Sequence, residues 1–259
     1  LNPTYGEYEH ILRTQLGADI DRFDLRREDG YQIRADKLAE RLRTGRYDLF
    51  VLVNPNSPTG RFLPLSETEK IAGSLPDPTL MWVDETYIEY PGGEHSLEKY
   101  AARSKNVLVC KSMSKAYALS GMRCAYLAAC PQTVRALSKY APPWSVSLLA
   151  QLAAVRALRD PDYYAACWRK TAENREQLVK GLSKLPGVRV FSGEANFILC
   201  EFSDAKIEPL LEKCRSRGLY LRNTENMGEN WSKNIVRVAV KSERDNARIL
   251  EILREALNA

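Results

Sequence analysis

The first half of the chain alternates short apolar runs with helical patterns, and this alternation constrains the fold more than any other feature. Four apolar runs predict buried β-strands, at residues 48–53, 79–84, 106–110 and 125–129. The patterns between them predict helices near residues 34–42, 65–74 and 132–139. Such alternation is typical of α/β proteins, in which helices cover both faces of a mostly parallel sheet.

The pattern changes after Pro142 and Pro143. A long helical stretch is predicted from about residue 145 to residue 185, interrupted near Asp160 and Pro161, because proline disfavours helix at the preceding residue. Strands are then expected at 188–191, 196–202, 219–222 and 235–240, and helices at 206–217 and 243–257. We therefore expect two domains, a large α/β domain over residues 1–144 and a smaller α+β domain with an antiparallel sheet over residues 145–259.

Composition excludes several classes of function. The net charge of +5 is spread along the chain, which argues against a nucleic-acid partner. The two histidines, His10 and His95, lie in polar stretches and predict neither a metal site nor a histidine triad. The six cysteines form no Cys-x-x-Cys pair, so free thiols and a reducing, cytoplasmic compartment are expected. No apolar run reaches the ~20 residues of a membrane helix.

Residues 112–126 read SMSKAYALSGMRCAY and carry the most specific chemistry in the chain. Lys115 follows a predicted buried strand, where a primary amine can hold an aldehyde cofactor as an imine. The hydroxyls of Ser112 and Ser114 and the guanidinium of Arg123 suit a phosphate on the same cofactor. The alternative for a lone lysine is a solvated surface charge.

Asp84 ends another apolar strand, in the sequence MWVDETY. A carboxylate at the end of a buried strand needs a partner, and a protonated pyridinium nitrogen is one. That charge pair would keep the ring an electron sink. Tyr87 could donate a hydrogen bond to a ring hydroxyl. The alternative for Asp84 is a helix N-cap.

Two further features complete the predicted site. The sequence VNPNSPTG at residues 53–60 is a rigid turn that can aim a side chain, or an ordinary strand-to-helix loop. Arg237 lies inside an apolar strand and must be paired, either with a substrate carboxylate or in a structural salt bridge. Ligands of open parallel sheets bind at the carboxyl ends of the strands, where most of these features lie.

Together these motifs resemble the fold-type-I, class I/II aminotransferases that use pyridoxal phosphate (PLP), nearest the branch of histidinol-phosphate aminotransferase and threonine-phosphate decarboxylase. The resemblance runs over nearly the whole chain. It implies that Lys115 holds the PLP aldehyde, that Asp84 meets the pyridine nitrogen and that Tyr87 meets the ring oxygen. By the same resemblance the phosphate ligands are Ser112, Ser114 and Arg123, the ring-stacking residue is Tyr5, and the substrate-binding residues are Asn196, Arg222 and Arg237.

Two of the departures of this chain from the family pattern bear on the cofactor site. Ser57 stands where the family usually has asparagine before Pro-Thr-Gly, and the neighbouring Asn56 is the candidate substitute for the contact to the ring oxygen. Family members also carry a further segment before the motif Pro3-Thr4-Tyr5, which supplies phosphate donors and a tyrosine for the neighbouring subunit. We therefore expect an N-terminally incomplete large domain.

The resemblance implies a transaminase that passes the amino group of an amino acid to a 2-oxo acid. A PLP-dependent decarboxylase, lyase or cyclase is the alternative, and a non-catalytic PLP-fold module is a third. A homodimer is implied as well, and the aromatics Tyr87, Tyr90 and Trp144, which we expect to be exposed, favour one. No membrane partner is expected.

Overall fold

The computed structural model describes residues 1–203, 206–229 and 231–258. The strands are β1 (Leu49–Val53), β2 (Leu80–Asp84), β3 (Val107–Ser112), β4 (Ala125–Ala128), β5 (Val188–Phe191), β6 (Phe197–Phe202), β7 (Arg222–Asn223) and β8 (Ile235–Ala239). The α-helices are α1 (Gly6–His10), α2 (Ala35–Thr44), α3 (Leu65–Gly73), α4 (Glu98–Ala101), α5 (Pro131–Ser138), α6 (Leu148–Leu158), α7 (Pro161–Leu182), α8 (Ile207–Ser216) and α9 (Glu243–Asn258). A π-helical turn lies at Ile11–Gln15, and short 3-10 helices lie at Gly93–His95, Ser120–Met122 and Glu225–Met227.

The chain forms two compact units. The lysine unit comprises Ile33–Pro55 and Phe62–Trp168. The arginine unit comprises Leu1–Gln32, Asn56–Arg61 and Arg169–Ala259. The predicted division after residue 144 stays a prediction.

The lysine unit is built on the sheet β1-β2-β3-β4, in which the first three strands are parallel and β4 runs antiparallel to β3. The register places Val53 opposite Asp84, and Asp84 opposite Cys110. The carboxyl ends of β1, β2 and β3 therefore meet at one edge of the sheet. Buried residues of α2 recur with the spacing of one helical face, at 35, 38, 39 and 42.

The arginine unit is built on the antiparallel sheet β5-β6-β8-β7. Every residue of β6 is buried. The buried face of α9 repeats at 249, 252, 253 and 256, and it packs into one apolar core with α8 and β6. Burial of each such leucine or isoleucine contributes roughly 1.5–3 kcal/mol to stability.

The α/β class is confirmed, with a mostly parallel sheet and a second, smaller antiparallel sheet. The helix interruption near Asp160 is also confirmed, since α6 ends at Leu158 and α7 begins at Pro161. The predicted strand over 219–222 is wrong, because the ladder contains only Arg222 and Asn223. Gly218 has a φ of 80° and the Leu219 N–H donates to the carbonyl of Cys214, so residue 219 still belongs to the turn that ends α8.

None of the helices within the described ranges combines the length and apolarity that a membrane span requires. All six cysteines are free thiols. Four are buried, Cys110 is half-buried and Cys167 is exposed.

Candidate active site

Asp84 is the last residue of β2 and is 9% exposed. Its Oδ1 accepts hydrogen bonds from the Thr86 N–H at 3.0 Å and from the Thr86 hydroxyl at 2.6 Å. Residues 86–91 form turns and not an α-helix, so the alternative role of Asp84 as a helix N-cap is wrong. The carboxylate instead closes a local turn that fixes its direction at the strand end.

The lysine segment, residues 112–124, begins at Ser112, the last residue of β3. Because side chains alternate along a strand and Asp84 lies opposite Cys110, the side chains of Asp84 and Ser112 lie on the same face of the sheet. The Ser112 hydroxyl donates to the Ser114 hydroxyl at 3.0 Å and accepts from the Ser114 N–H at 3.3 Å. Lys115 is exposed on the turn that follows. One edge of the sheet thus carries an acid, two hydroxyls and an amine.

The lysine segment is a closed loop with an unusual backbone. The Met113 N–H donates to the Cys124 carbonyl at 3.2 Å, and the Leu119 N–H donates to the Met113 carbonyl at 3.1 Å. Ala118 and Arg123 have left-handed φ angles of 56° and 53°, which non-glycine residues rarely adopt. Such conformations cost of order 1–3 kcal/mol each and persist only where surrounding contacts impose them.

Arg123 presents its guanidinium at the surface of the lysine unit, where Nη1 donates to the Ser120 carbonyl at 3.0 Å. Tyr87 is 7% exposed and Tyr90 is half-buried, so their predicted exposure is wrong. Both residues lie in the turns that follow Asp84. Trp144 is 94% exposed, as expected.

In the arginine unit, Asn56 is fully buried and serves the local structure. Its side-chain amide donates to the Pro3 carbonyl at 3.1 Å and to the Thr59 hydroxyl at 3.0 Å. Its Oδ1 accepts from the Thr4 hydroxyl at 2.9 Å. Both donors of this carboxamide are therefore used in holding the 56–61 loop.

Ser57 is 2% exposed, and its hydroxyl accepts a hydrogen bond from Arg237 Nη1 at 2.8 Å. The same guanidinium stacks over the ring of Phe197, with 4.7 Å between Arg237 Cζ and the ring centroid. The hydroxyl that replaces the family's amide thus orients an arginine. The 180 residues that separate the two partners hide this contact from the sequence.

The 56–61 loop is also held by backbone. The Glu194 N–H donates to the Gly60 carbonyl at 2.8 Å. A Cβ on Gly193 would lie 2.4 Å from the Gly60 carbonyl carbon, so this approach requires glycine. Arg175 Nη1 donates to the Glu194 and Ala195 carbonyls at 3.1 and 3.3 Å. These bonds fix the backbone immediately before Asn196.

The arginine unit also contains the predicted site residues Arg222, Asn196 and Tyr5. Arg222 and Arg237 are opposite each other in the β7–β8 ladder, which puts two cationic side chains on one face. Asn196 directly precedes β6 and is half-buried. Tyr5 precedes α1, is 43% exposed and meets the Tyr8 ring edge-on at 6.0 Å.

A buried charge cluster in the lysine unit was missed from the sequence. Lys111 Nζ lies 2.7 Å from Glu89 Oε1 and 3.4 Å from Glu98 Oε2. The side chains of Lys111 and Glu89 are only 7% and 5% exposed. Burial opposes the charge of Lys111, but the two carboxylates outweigh it and raise the pKa of the lysine. The sequence did contain a signal for this ion pair, because Lys111 directly follows the apolar residues of β3 and a lysine buried there needs an acidic partner.

Glu85 joins the same cluster from the turn after Asp84. Its Oε1 accepts from the Leu97 N–H at 2.8 Å, and its Oε2 shares a 2.5 Å hydrogen bond with the Ser96 hydroxyl. Burial raises the pKa of the Glu85 carboxyl from 4.5 to about 7, against the lowering effect of these hydrogen bonds and of Lys111. The folded protein therefore holds this proton more tightly than the unfolded chain does.

We expect the stability from Glu85 to be complete below its unfolded pKa and to be lost as the pH rises through about 7. Glu85→Gln mimics the protonated acid at every pH. The free energy of unfolding of the wild type should match that of E85Q near about pH 4 and fall below it by up to about 3 kcal/mol near about pH 8. Urea unfolding at both pH values measures the difference, and a pH-independent difference would contradict the assignment.

Comparisons with known proteins identify the family of this chain. The family model described as aminotransferase class I and II matches residues 1–254. Histidinol-phosphate aminotransferase of Methanocaldococcus jannaschii is 28% identical over 256 residues, which cover 99% of this chain and 67% of that protein. The chain therefore belongs to the class I and II aminotransferase family, and it is a PLP-dependent transaminase.

Solved structures share the fold. Histidinol-phosphate aminotransferase from Clostridium acetobutylicum matches with a TM-score of 0.89 and 22% identity, over 100% of this chain and 77% of that chain. L-threonine-O-3-phosphate decarboxylase from Porphyromonas gingivalis matches with a TM-score of 0.86 and 22% identity, over 99% and 75%. Histidinol-phosphate aminotransferase from Sinorhizobium meliloti, in complex with pyridoxal-5'-phosphate, matches with a TM-score of 0.86 and 21% identity, over 99% and 68%. The predicted resemblance to histidinol-phosphate aminotransferase is confirmed, and the fold is shared with the decarboxylase.

The donor set of the lysine unit fits PLP. Asp84 is a buried acid that suits a protonated ring nitrogen, and Lys115 is an accessible primary amine that suits an aldehyde. The hydroxyls of Ser112 and Ser114 and the guanidinium of Arg123 are donors that suit a phosphate dianion.

Proposed function

We propose that Lys115 is the residue that holds the PLP aldehyde, with Asp84 at the pyridine nitrogen and Tyr87 at the ring oxygen. The observation that carries this proposal is the common edge and face of Asp84 and Ser112, with the exposed amine of Lys115 three residues further on. When bound, PLP supplies an electron-withdrawing ring that stabilises negative charge at the substrate Cα. Asp84 keeps the ring nitrogen protonated, which sustains that withdrawal.

The phosphate is assigned to Ser112, Ser114 and Arg123. The two hydroxyls lie 3.0 Å apart, close enough for both to meet one phosphate group. A guanidinium binds phosphate oxygens in a planar, two-pronged geometry that a lysine cannot reproduce. The left-handed backbone of Arg123 supports a dedicated role, since strain at a non-glycine residue concentrates at ligand sites.

With PLP and an amino acid bound, the Lys115 amine would act as the general base, its Nζ accepting the proton from the substrate Cα and later donating it back. The net reaction would convert the amino acid to its 2-oxo acid and a second 2-oxo acid to its amino acid. A small-molecule amino acid and a 2-oxo acid are thus the proposed partners.

The arginine unit supplies the proposed carboxylate contacts. Arg237 binds the substrate α-carboxylate with Asn196 nearby, and Arg222 meets a second, distal anionic group. Like charges directly opposite in a ladder are unfavourable, so a doubly anionic substrate would relieve the repulsion of Arg222 and Arg237. Tyr5, Asn56 and Ser57 stay predictions as cofactor contacts.

We also propose a homodimer in the cytoplasm. The dimer is supported by exposed apolar residues of the lysine unit, among them Trp144, Tyr140 and Leu149, which are 94%, 86% and 71% exposed. A monomeric mass by sedimentation equilibrium would refute the dimer. Free thiols support a reducing compartment, and fractionation of the source cells tests it.

Borohydride reduction tests the central assignment. The chain is incubated with PLP, treated with borohydride and mapped by peptide mass spectrometry. We expect a phosphopyridoxyl tag on Lys115, because its amine is exposed beside the phosphate donors, and none on Lys111, whose amine is buried in ion pairs. The chain without PLP is the control. A tag confined to another lysine would refute the proposal.

A further inference from the structure

Trp168 of α7 makes one specific contact with the lysine segment. Its indole N–H donates to the carbonyl of Ala116 at 2.9 Å, across 52 residues of sequence. Ala116 directly follows Lys115 and is only 6% exposed. A buried carbonyl and an indole N–H each need a partner, so this bond satisfies two groups at once.

Aromatic packing supports that bond. The ring of Tyr117 meets the Trp168 ring edge-on, with centroids 5.6 Å apart and an interplanar angle of 86°. Tyr164, which lies on the same helix as Trp168, also packs against Tyr117, with 5.0 Å between the two ring centroids. The residues on both sides of Lys115 are therefore fixed, Met113 and Ala116 by burial and Tyr117 by two rings.

The backbone next to this contact is the strained part of the loop. Ala118 holds a left-handed φ of 56°, and its N–H donates to the Lys115 carbonyl at 3.1 Å. A conformation of this kind relaxes when the contacts that impose it are removed. The indole bond two residues before Ala118 is such a contact.

We propose that Trp168 is a positioning residue that holds the lysine segment in the conformation from which Lys115 reacts. This inference rests on the proposed role of Lys115. Trp168 touches no reacting atom in this scheme. It acts through the Ala116 carbonyl, and its loss should let the Ala118 turn relax and move the Lys115 amine away from its productive position.

The first test is hydrogen exchange in the chain without cofactor. Trp168→Phe keeps a ring against Tyr117 but removes the N–H. We expect the amides of Ala118 and Leu119, whose N–H groups close the loop, to exchange about fivefold faster in W168F than in the wild type. Exchange at the wild-type rate would overturn the proposal.

Trp231→Phe is the matched control, because its indole N–H donates at 3.0 Å to the Thr224 hydroxyl, in the other unit. W231F loses an equivalent bond and should leave exchange at Ala118 and Leu119 unchanged. Equal acceleration in W231F would mean that the effect is general loosening, and it would overturn the positioning role.

A measurement on the wild type covers the case in which W168F does not fold. The Trp168 indole proton should exchange at least about tenfold more slowly than that of the 94% exposed Trp144, read from assigned indole signals by NMR. Equal exchange rates would show that the bond to Ala116 does not persist in solution.

The holoenzyme separates this inference from the proposed function. With PLP bound, W168F should lower kcat about tenfold and leave KM for the amino acid within about twofold, because substrate binding is not altered. Faster exchange with an unchanged kcat would overturn the positioning role. A borohydride tag on another lysine would refute the function of Lys115 and leave the exchange result standing.

Discussion

Replacing Lys115 with alanine should lower kcat for amino-group transfer by at least about a thousandfold, since a positioned general base alone contributes roughly 10²–10⁴-fold. The expected loss is large because one amine has two roles, holding the PLP aldehyde and moving the Cα proton. The chain should also lose the visible absorbance of bound PLP and its response to added amino acid. Steady-state kinetics and an absorbance spectrum after dialysis measure both effects.

Two variants make this result specific. Lys115→Arg keeps a positive charge, but a guanidinium stays protonated and cannot replace the amine, so it should lose as much activity as K115A. Lys139→Ala removes an exposed lysine just after α5 and should keep wild-type activity and absorbance. Unchanged turnover in K115A, with the absorbance retained, would contradict the role of Lys115.

The parts of this protein that local patterns encode could be predicted from sequence. The strand containing Met81 and Val83 was recognised because apolar runs of that length predict buried strands. The position of Asp84 at its end, and of Lys115 after the next strand, followed from the same pattern. The prediction placed Ser112 after that strand as well, but β3 continues two residues beyond the predicted 106–110 and ends at Ser112. In parallel sheets the carboxyl ends of the strands lie at one edge, so these residues were expected to lie close together. In the structure, Asp84 and Ser112 lie at that edge and on the same face of the sheet.

Contacts between distant segments could not be predicted in this way. The bond between Trp168 and Ala116 spans 52 residues, and no local periodicity reports it. The bond between Ser57 and Arg237 likewise depends on a loop and a strand that meet only in the folded unit. Tyr87 was expected to be exposed, yet it is buried in the turns after Asp84.

Replacing Lys111 with methionine should destabilise the chain by about 3–5 kcal/mol, the usual effect of removing one partner from a buried ion pair. Methionine fills a similar volume, so the loss comes from charge and not from a cavity. It leaves the carboxylate of Glu89, whose side chain is 5% exposed, and that of Glu98 without their cation. Urea unfolding at about pH 8 measures the change in unfolding free energy, because both carboxylates are then ionised in the unfolded chain.

Lys70→Met is the matched control, since Lys70 pairs with Asp36 in the same unit at side-chain exposures of 54% and 82%. An exposed pair contributes about 0–1 kcal/mol, so K70M should be nearly neutral. The double variant K111M with Glu89→Gln should recover part of the lost stability, because it removes one of the unpaired charges.

The pH dependence of K111M separates charge from packing. Burial raises the pKa of the Glu89 carboxyl against the lowering effect of Lys111, and removing that cation raises this pKa further. In K111M this carboxyl therefore binds its proton more tightly in the folded state than in the unfolded chain, so its stabilising contribution is present at low pH and is lost as the pH rises. K111M should therefore lie closer to the wild type at about pH 5 than at about pH 8. If K111M lost the same unfolding free energy at both pH values, the effect would come from packing and not from charge. A loss no larger than that of K70M would also contradict a stabilising role for the buried pair of Lys111 and Glu89.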